Sequence, residues 1–166
     1  MDARAEIETI LAGARTRLGG VSRERLGVWR VPRRLLGIPR APRIDPAGSA
    51  WHLGVLLLSD DALLGTGEVV RAREDVRRGF AAESQRERAA IAAAAFRGGF
   101  AEGEAVHLGW QEIDLDAVAA GAASGPVAWQ DGRPAVRWSP GGALVPLQAY
   151  LDERVALLVA PPQGAT

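Results

Sequence analysis

Apolar residues recur at three- and four-residue intervals over residues 2–18, where Ile7, Ile10, Leu11, Ala14 and Leu18 form one stripe. That period predicts an amphipathic helix, and Gly19-Gly20 supplies its stop. Residues 26–31 have the make-up of a short strand. Pro32, Pro39, Pro42 and Pro46 then break the pattern, so residues 32–48 read as an irregular, arginine-rich connection over the surface. Residues 50–58 and 62–71 read as two strands joined at Ser59-Asp60-Asp61. In the first of them Trp51, Leu53, Val55 and Leu57 alternate on one face. Leu56 and Leu58 on the other face predict burial on both sides, hence a central strand.

The alanine-rich run over residues 81–97 has high helix propensity and ends at Gly98-Gly99. Residues 105–113 follow as a strand with Val106, Leu108 and Trp110 on one face, and residues 114–123 as one or two helical turns. Asp131-Gly132, between residues 127–130 and 134–138, is the strongest hairpin signal of the chain. Pro146 stands at the first turn of a last helix whose stripe is Leu147, Tyr150, Leu151, Val155 and Leu158. Pro161-Pro162 stops it, and residues 163–166 read as a frayed tail. Helices and hairpins intersperse without strict strand–helix alternation. The expected class is α+β, a largely antiparallel sheet with helices packed on one side, in a single domain covering residues 1–166.

Composition narrows the chemistry. There is no cysteine, and all twenty basic residues are arginine, since the chain has no lysine; asparagine is absent too. Lysine and asparagine share AA-rich codons, which fits a GC-rich bacterial genome. Thiolate catalysis, disulfides, cysteine-held metals, Schiff-base chemistry and a P-loop lysine are all excluded. No apolar run approaches the ~18 residues of a membrane span. The N-terminus lacks the basic start and apolar core of a secretory signal, so the cytoplasm is the expected location, with no membrane partner. The formal net charge is zero but uneven: residues 21–43 carry seven arginines against Glu24, and residues 101–116 carry five acids and no arginine. These read as surfaces that face each other or a partner.

Few constellations remain. His52 and His107, the only histidines, both fall on predicted strands. With Glu68 or Gln111 beside them they would form an acid–base site or a two-histidine, one-carboxylate site. The competing reading is two unrelated histidines at sheet edges. Glu102, Glu104, Glu112, Asp114 and Asp116 lack the calcium-loop spacing and read as a solvated face; no metal or other cofactor is expected. The 21–43 arginines, with Trp29 as a stacking platform, give a weak nucleic-acid reading, which the near-neutral pI of 6.8 disfavours. Gly65-Thr-Gly67 lacks the third glycine of a dinucleotide fingerprint, and no Gly-x-Ser-x-Gly elbow exists. Trp29, Trp51, Trp110, Trp129 and Trp138 all lie on predicted strands; any that share an exposed face would line a pocket or a binding surface.

Residues 51–115, including Arg78-Gly-Phe-Ala-Ala-Glu-Ser-Gln-Arg-Glu-Arg88 and Arg97-Gly-Gly-Phe100, resemble a family of small proteins from GC-rich bacteria. Some of these carry an amide-hydrolase label of the glutaminase kind. The glutaminase pattern uses a Ser-x-x-Lys pair and other amidotransferases a cysteine, so the resemblance transfers no functional residue to a chain without lysine or cysteine.

The expected function is a non-catalytic binding or interaction domain with a tryptophan-bearing sheet face, self-associating as a homodimer and open to a protein or small-molecule ligand. The alternative is a small hydrolase or lyase using His52 and His107 with a carboxylate.

Overall fold

The computed structural model describes residues 2–75, 79 and 82–162. In chain order its elements are α1 (Ala3–Leu18), β1 (Glu24–Arg30), β2 (Arg43–Leu53), β3 (Leu56–Leu58), β4 (Leu63–Gly65), β5 (Glu68–Arg71), α2 (Glu83–Arg97), β6 (Ala105–Leu108), β7 (Gln111–Glu112), α3 (Leu115–Ala119), β8 (Val127–Gln130), β9 (Arg133–Arg137), β10 (Leu144–Pro146) and α4 (Leu147–Val159). The class is α+β with largely antiparallel strands, as the patterning predicts. The expected helix start at residue 81 and the tail 163–166 lie outside the described residues.

The chain forms two compact units, one of Met1–Arg23, Ala50–Thr66 and Gln111–Thr166, the other of Glu24–Ser49 and Gly67–Trp110. Strand β2 belongs to both. In the first unit the strands run β2-β3-β4-β7, beside a three-stranded sheet β10-β9-β8. The buried stripe of α1 (Ile7, Leu11, Ala14, Leu18) meets that of α4 (Leu147, Tyr150, Leu151, Val155) in one core with Leu56, Leu58 and Val136. Leu158, expected on the same stripe, is exposed. The Asp131-Gly132 turn has both φ angles positive, 52° and 76°, the primed geometry its sequence demands.

In the second unit the order is β5-β6-β1-β2, with β1 and β6 paired in parallel and β5 and β6 antiparallel. Helix α2 buries Ala93, Ala94 and Ala95, and Ala94 and Ala95 join a core of Ile44, Phe100, Val106 and Leu108. Alanines at the contact let the helix backbone lie close to the strands. Among the described residues no helix is long and apolar enough to cross a membrane.

Four expectations are corrected. Residues 50–58 are two strands: the chain reverses at Gly54-Val55, and β2 pairs antiparallel with β3, Leu53 opposite Leu56. Gly54 sits at φ 70°, and a Cβ there would lie 2.2 Å from the Tyr150 hydroxyl, so the turn demands glycine for both conformation and space. The strand expected over residues 105–113 breaks at Gly109-Trp110 into β6 and β7. Residues 43–48, expected to be irregular, open β2; exposed Pro46 is tolerated because a strand accepts proline where no ladder N–H is needed. Residues 144–146 form β10 before the last helix begins.

The Tyr150 hydroxyl closes the Gly54 turn, accepting from the Val55 N–H and donating to the Leu53 carbonyl, both at 2.9 Å. Tyr150→Phe leaves these two backbone groups without that partner and should cost about 1–3 kcal/mol. A shift of the urea midpoint at unchanged m-value is the readout; an unmoved midpoint would show that the hydroxyl does not hold the turn. Nearby, Arg23 forms a two-pronged pair with Asp60 at 2.6 and 2.7 Å and lies 4.0 Å above the Trp51 ring. That hydrogen bond holds the Asp60 carboxyl below the usual carboxylate range.

Candidate ligand-binding cleft

Helix α4 brings one charge into its own apolar stripe. Arg154 is four residues after Tyr150 and three after Leu151, so it shares their side of the helix. Its guanidinium carbon lies 5.2 Å from the centre of the Tyr150 ring, a cation–π separation. Its Nε is buried and has no hydrogen-bond partner among the described residues. Arg17 of α1, by contrast, is paired with Asp152 of α4 at 2.5 Å.

Arg154 lines a cleft of about 450 Å³ with Trp138, Val145, Pro146, Ala149, Tyr150 and Glu153. That volume falls within the usual range for small-molecule sites, roughly 300–1,000 Å³. Trp138 follows β9 and is 52% exposed, an unusual state for the largest apolar side chain. It also lines a second, mostly apolar hollow of about 320 Å³ with Val55, Thr66, Pro126, Arg137 and Pro140. The indole thus stands between two apolar hollows, one carrying Arg154 and Glu153 and the other Arg137.

The other tryptophans are placed differently. Trp51 is buried and donates its indole N–H to the Val21 carbonyl at 2.9 Å; Trp110 donates to the Gly27 carbonyl at 3.1 Å. Trp129 packs against the first unit's core, and Trp29 on β1 is about half exposed. Three of the five thus serve packing, and Trp138 alone lines a described cleft.

Of the two histidines, His107 on β6 has no exposed surface, and its Nε2–H donates to Glu24 Oε2 of β1 at 2.5 Å. A carboxylate only accepts, which fixes the proton on Nε2. Leu26 stands beside His107 in the parallel register, so Glu24, two residues before Leu26, emerges on the histidine's face. Glu68 stands opposite Leu108, so its side chain leaves the opposite face of the sheet from His107. His52, on β2, is half-buried, and its Nε2–H donates to the Gly54 carbonyl at 2.9 Å.

No protein-family model, curated protein or solved structure matches the chain. Arg154 escaped the sequence reading although its signal was present: an arginine inside the apolar stripe of the last helix. Glu24 carried no such signal, because its partner is 83 residues away in sequence on a parallel neighbour.

Proposed function

We propose that the protein is a binding module for a small amphipathic anion, held in the cleft between Trp138 and α4. The observation that carries this reading is Arg154, half-buried and with no ion pair among the described residues, in the wall of a mostly apolar cleft. The terminal nitrogens of its guanidinium are the donors for a carboxylate or phosphate oxygen, an end-on pair in which the buried Nε takes no part. Trp138, Val145 and Pro146 cover the ligand's apolar body. Tyr150, already committed through its hydroxyl to Leu53 and Val55, gives a fixed wall and no proton-transfer group.

Phenylacetate and octanoate are suitable probes, with 2-phenylethanol as the uncharged comparison. A ten-atom ligand at about 0.5 kcal/mol per heavy atom binds with a Kd of roughly 0.2 mM. Calorimetric titration should detect one of the two anions at that strength and not the alcohol, and Arg154→Met should abolish the signal. Equal binding of acid and alcohol, or none by any of the three, would remove the case for the cleft.

Glu24–His107 supports a second reading, the hydrolase or lyase expected from the histidines. His107 is wholly buried, and Glu24, whose side chain is 42% exposed, links its Nε2 to solvent. Turnover of p-nitrophenyl acetate lost in Glu24→Gln would support it; equal background rates would not.

A further inference from the structure

Residues 31–42 leave the second unit as an arm whose apolar side chains stand largely open to solvent. Val31 is 76% exposed, Leu36 93% and Ile38 67%, with Leu35 and Trp29 also open. Packing of this arm across the acidic segment, anchored by Leu35, Leu36 and Ile38, would be the economical outcome for a basic and apolar strip. The structure leaves those anchors outward instead. The arm's end is a tight turn in which Leu35 and Ile38 pair and the Ile38 N–H donates to the Leu35 carbonyl at 3.0 Å. Leu36 and Gly37 both have positive φ, 52° and 77°. That turn favours Asn-Gly, and a leucine held left-handed at its tip is strained with no gain from packing. Strain kept at an exposed apolar tip points to a role outside the chain.

The charges around the tip point to the partner. Arg30 and Arg43 both pair with Asp45 at the base of the arm, and Arg97 donates to the Pro42 carbonyl there. Arg33, Arg34 and Arg40, nearer the tip, have no ion pair among the described residues. Pro32, Pro39 and Pro42 stiffen the arm in advance of any contact. We propose that the arm docks on an anionic lipid bilayer, with Leu35, Leu36 and Ile38 entering the acyl boundary. Arg33, Arg34 and Arg40 stay at headgroup level, and Trp29 lies behind them. Amphipathic surface insertion needs no spanning segment, so the absence of one does not bear on it.

Other occupants fit less well. The chain's acidic cleft, lined by Asp61, Glu112, Asp114 and Asp116, would match the arginines of a second copy, but its Leu63, Ile113 and Leu115 are buried and offer the tip no apolar surface. The apolar hollows beside Trp138 carry Arg137 and Arg154 against the single acid Glu153, so they offer the arm's arginines no excess of negative charge. Nucleic acid would cover the arginines and leave three aliphatic side chains in water.

The test is flotation of the whole protein with vesicles of phosphatidylcholine alone and of phosphatidylcholine with one-third phosphatidylglycerol. Binding is expected on the anionic vesicles and falls steeply with added salt. Replacing Arg33, Arg34 and Arg40 by alanine should weaken it on the order of 100-fold, from about fivefold per arginine. Leu36→Asp, at an exposed position where folding is unaffected, should weaken it about tenfold or more. No binding to anionic vesicles overturns the proposal, and so does binding that Leu36→Asp leaves unchanged, which would be surface attraction without insertion. Dissociation of a stable dimer by Leu36→Asp in sedimentation would assign the arm to a second copy instead. Salt-sensitive retention of an oligonucleotide without vesicle binding would assign it to nucleic acid.

Discussion

Gly98→Ala should unfold the second unit or cost about 3 kcal/mol or more, far above the ordinary penalty for filling a tight space. Gly98 closes α2, and a Cβ built there stands 1.6 Å from the Ile44 carbonyl oxygen of β2. The obstacle is backbone on a paired strand, so no side-chain rotation relieves it. Either α2 lifts off, giving up the burial of Ala94 and Ala95 against Ile44 and Phe100, or β2 shifts within the sheet. Gly13→Ala in α1 is the matched control. Nothing lies within 4 Å of its added methyl, and helix propensity favours alanine by about 0.5–1 kcal/mol, so this variant should melt slightly higher. Urea titrations of the two variants, followed by circular dichroism, give the comparison. A Gly98→Ala protein as stable as the wild type would mean that α2 does not sit on Ile44.

Leu151→Asp should be equally severe in the first unit. Leu151 is 1% exposed, and it packs in the core that α1 and α4 build with Ile7, Leu11 and Leu18. A carboxylate there loses the leucine's burial, and Arg154, the one cation on its side of the helix, does not recover the desolvation of a charge in the apolar core. A cost above about 3 kcal/mol follows, a large share of the ~5–15 kcal/mol that holds a domain together. The readout is loss of soluble protein or a collapsed denaturant midpoint. A midpoint within the error of the wild type would place Leu151 on the wrong face of the helix.

Helices α1 and α4 were legible because each buries one stripe, and a 3.6-residue period survives in sequence whatever the stripe packs against; α2, which buries the consecutive Ala93, Ala94 and Ala95, was legible from its alanine propensity alone. Ile7, Leu11, Ala14 and Leu18 are all buried as that period requires. The Asp131-Gly132 hairpin was legible because its turn chemistry is local. The Gly54 reversal was not, since its decisive partner, the Tyr150 hydroxyl, is contributed 95 residues after Val55. The apolar residues on both sides of Gly54, Trp51 and Leu53 before it and Val55 to Leu58 after it, also read equally well as one strand or two. Within the sites the division is the same. Trp138 and His107 were singled out by residue type. Glu24 became relevant only through a parallel pairing that no local pattern encodes, and Arg154 was overlooked in a stripe read for its apolar members.

The parallel pairing of β1 with β6, Arg25 opposite Val106, also sets a clock for biosynthesis. About 80 residues separate the two strands, and at about 5–20 residues per second a ribosome needs roughly 4–16 s to deliver the second after the first. Throughout that interval Leu26 and its neighbours lack the strand that will lie beside them, whereas β8 and β9 can pair almost as soon as they emerge. Nascent chains halted before Ala105 should therefore be protease-sensitive at β1 and stay soluble only while a holdase or the ribosome shields that strand.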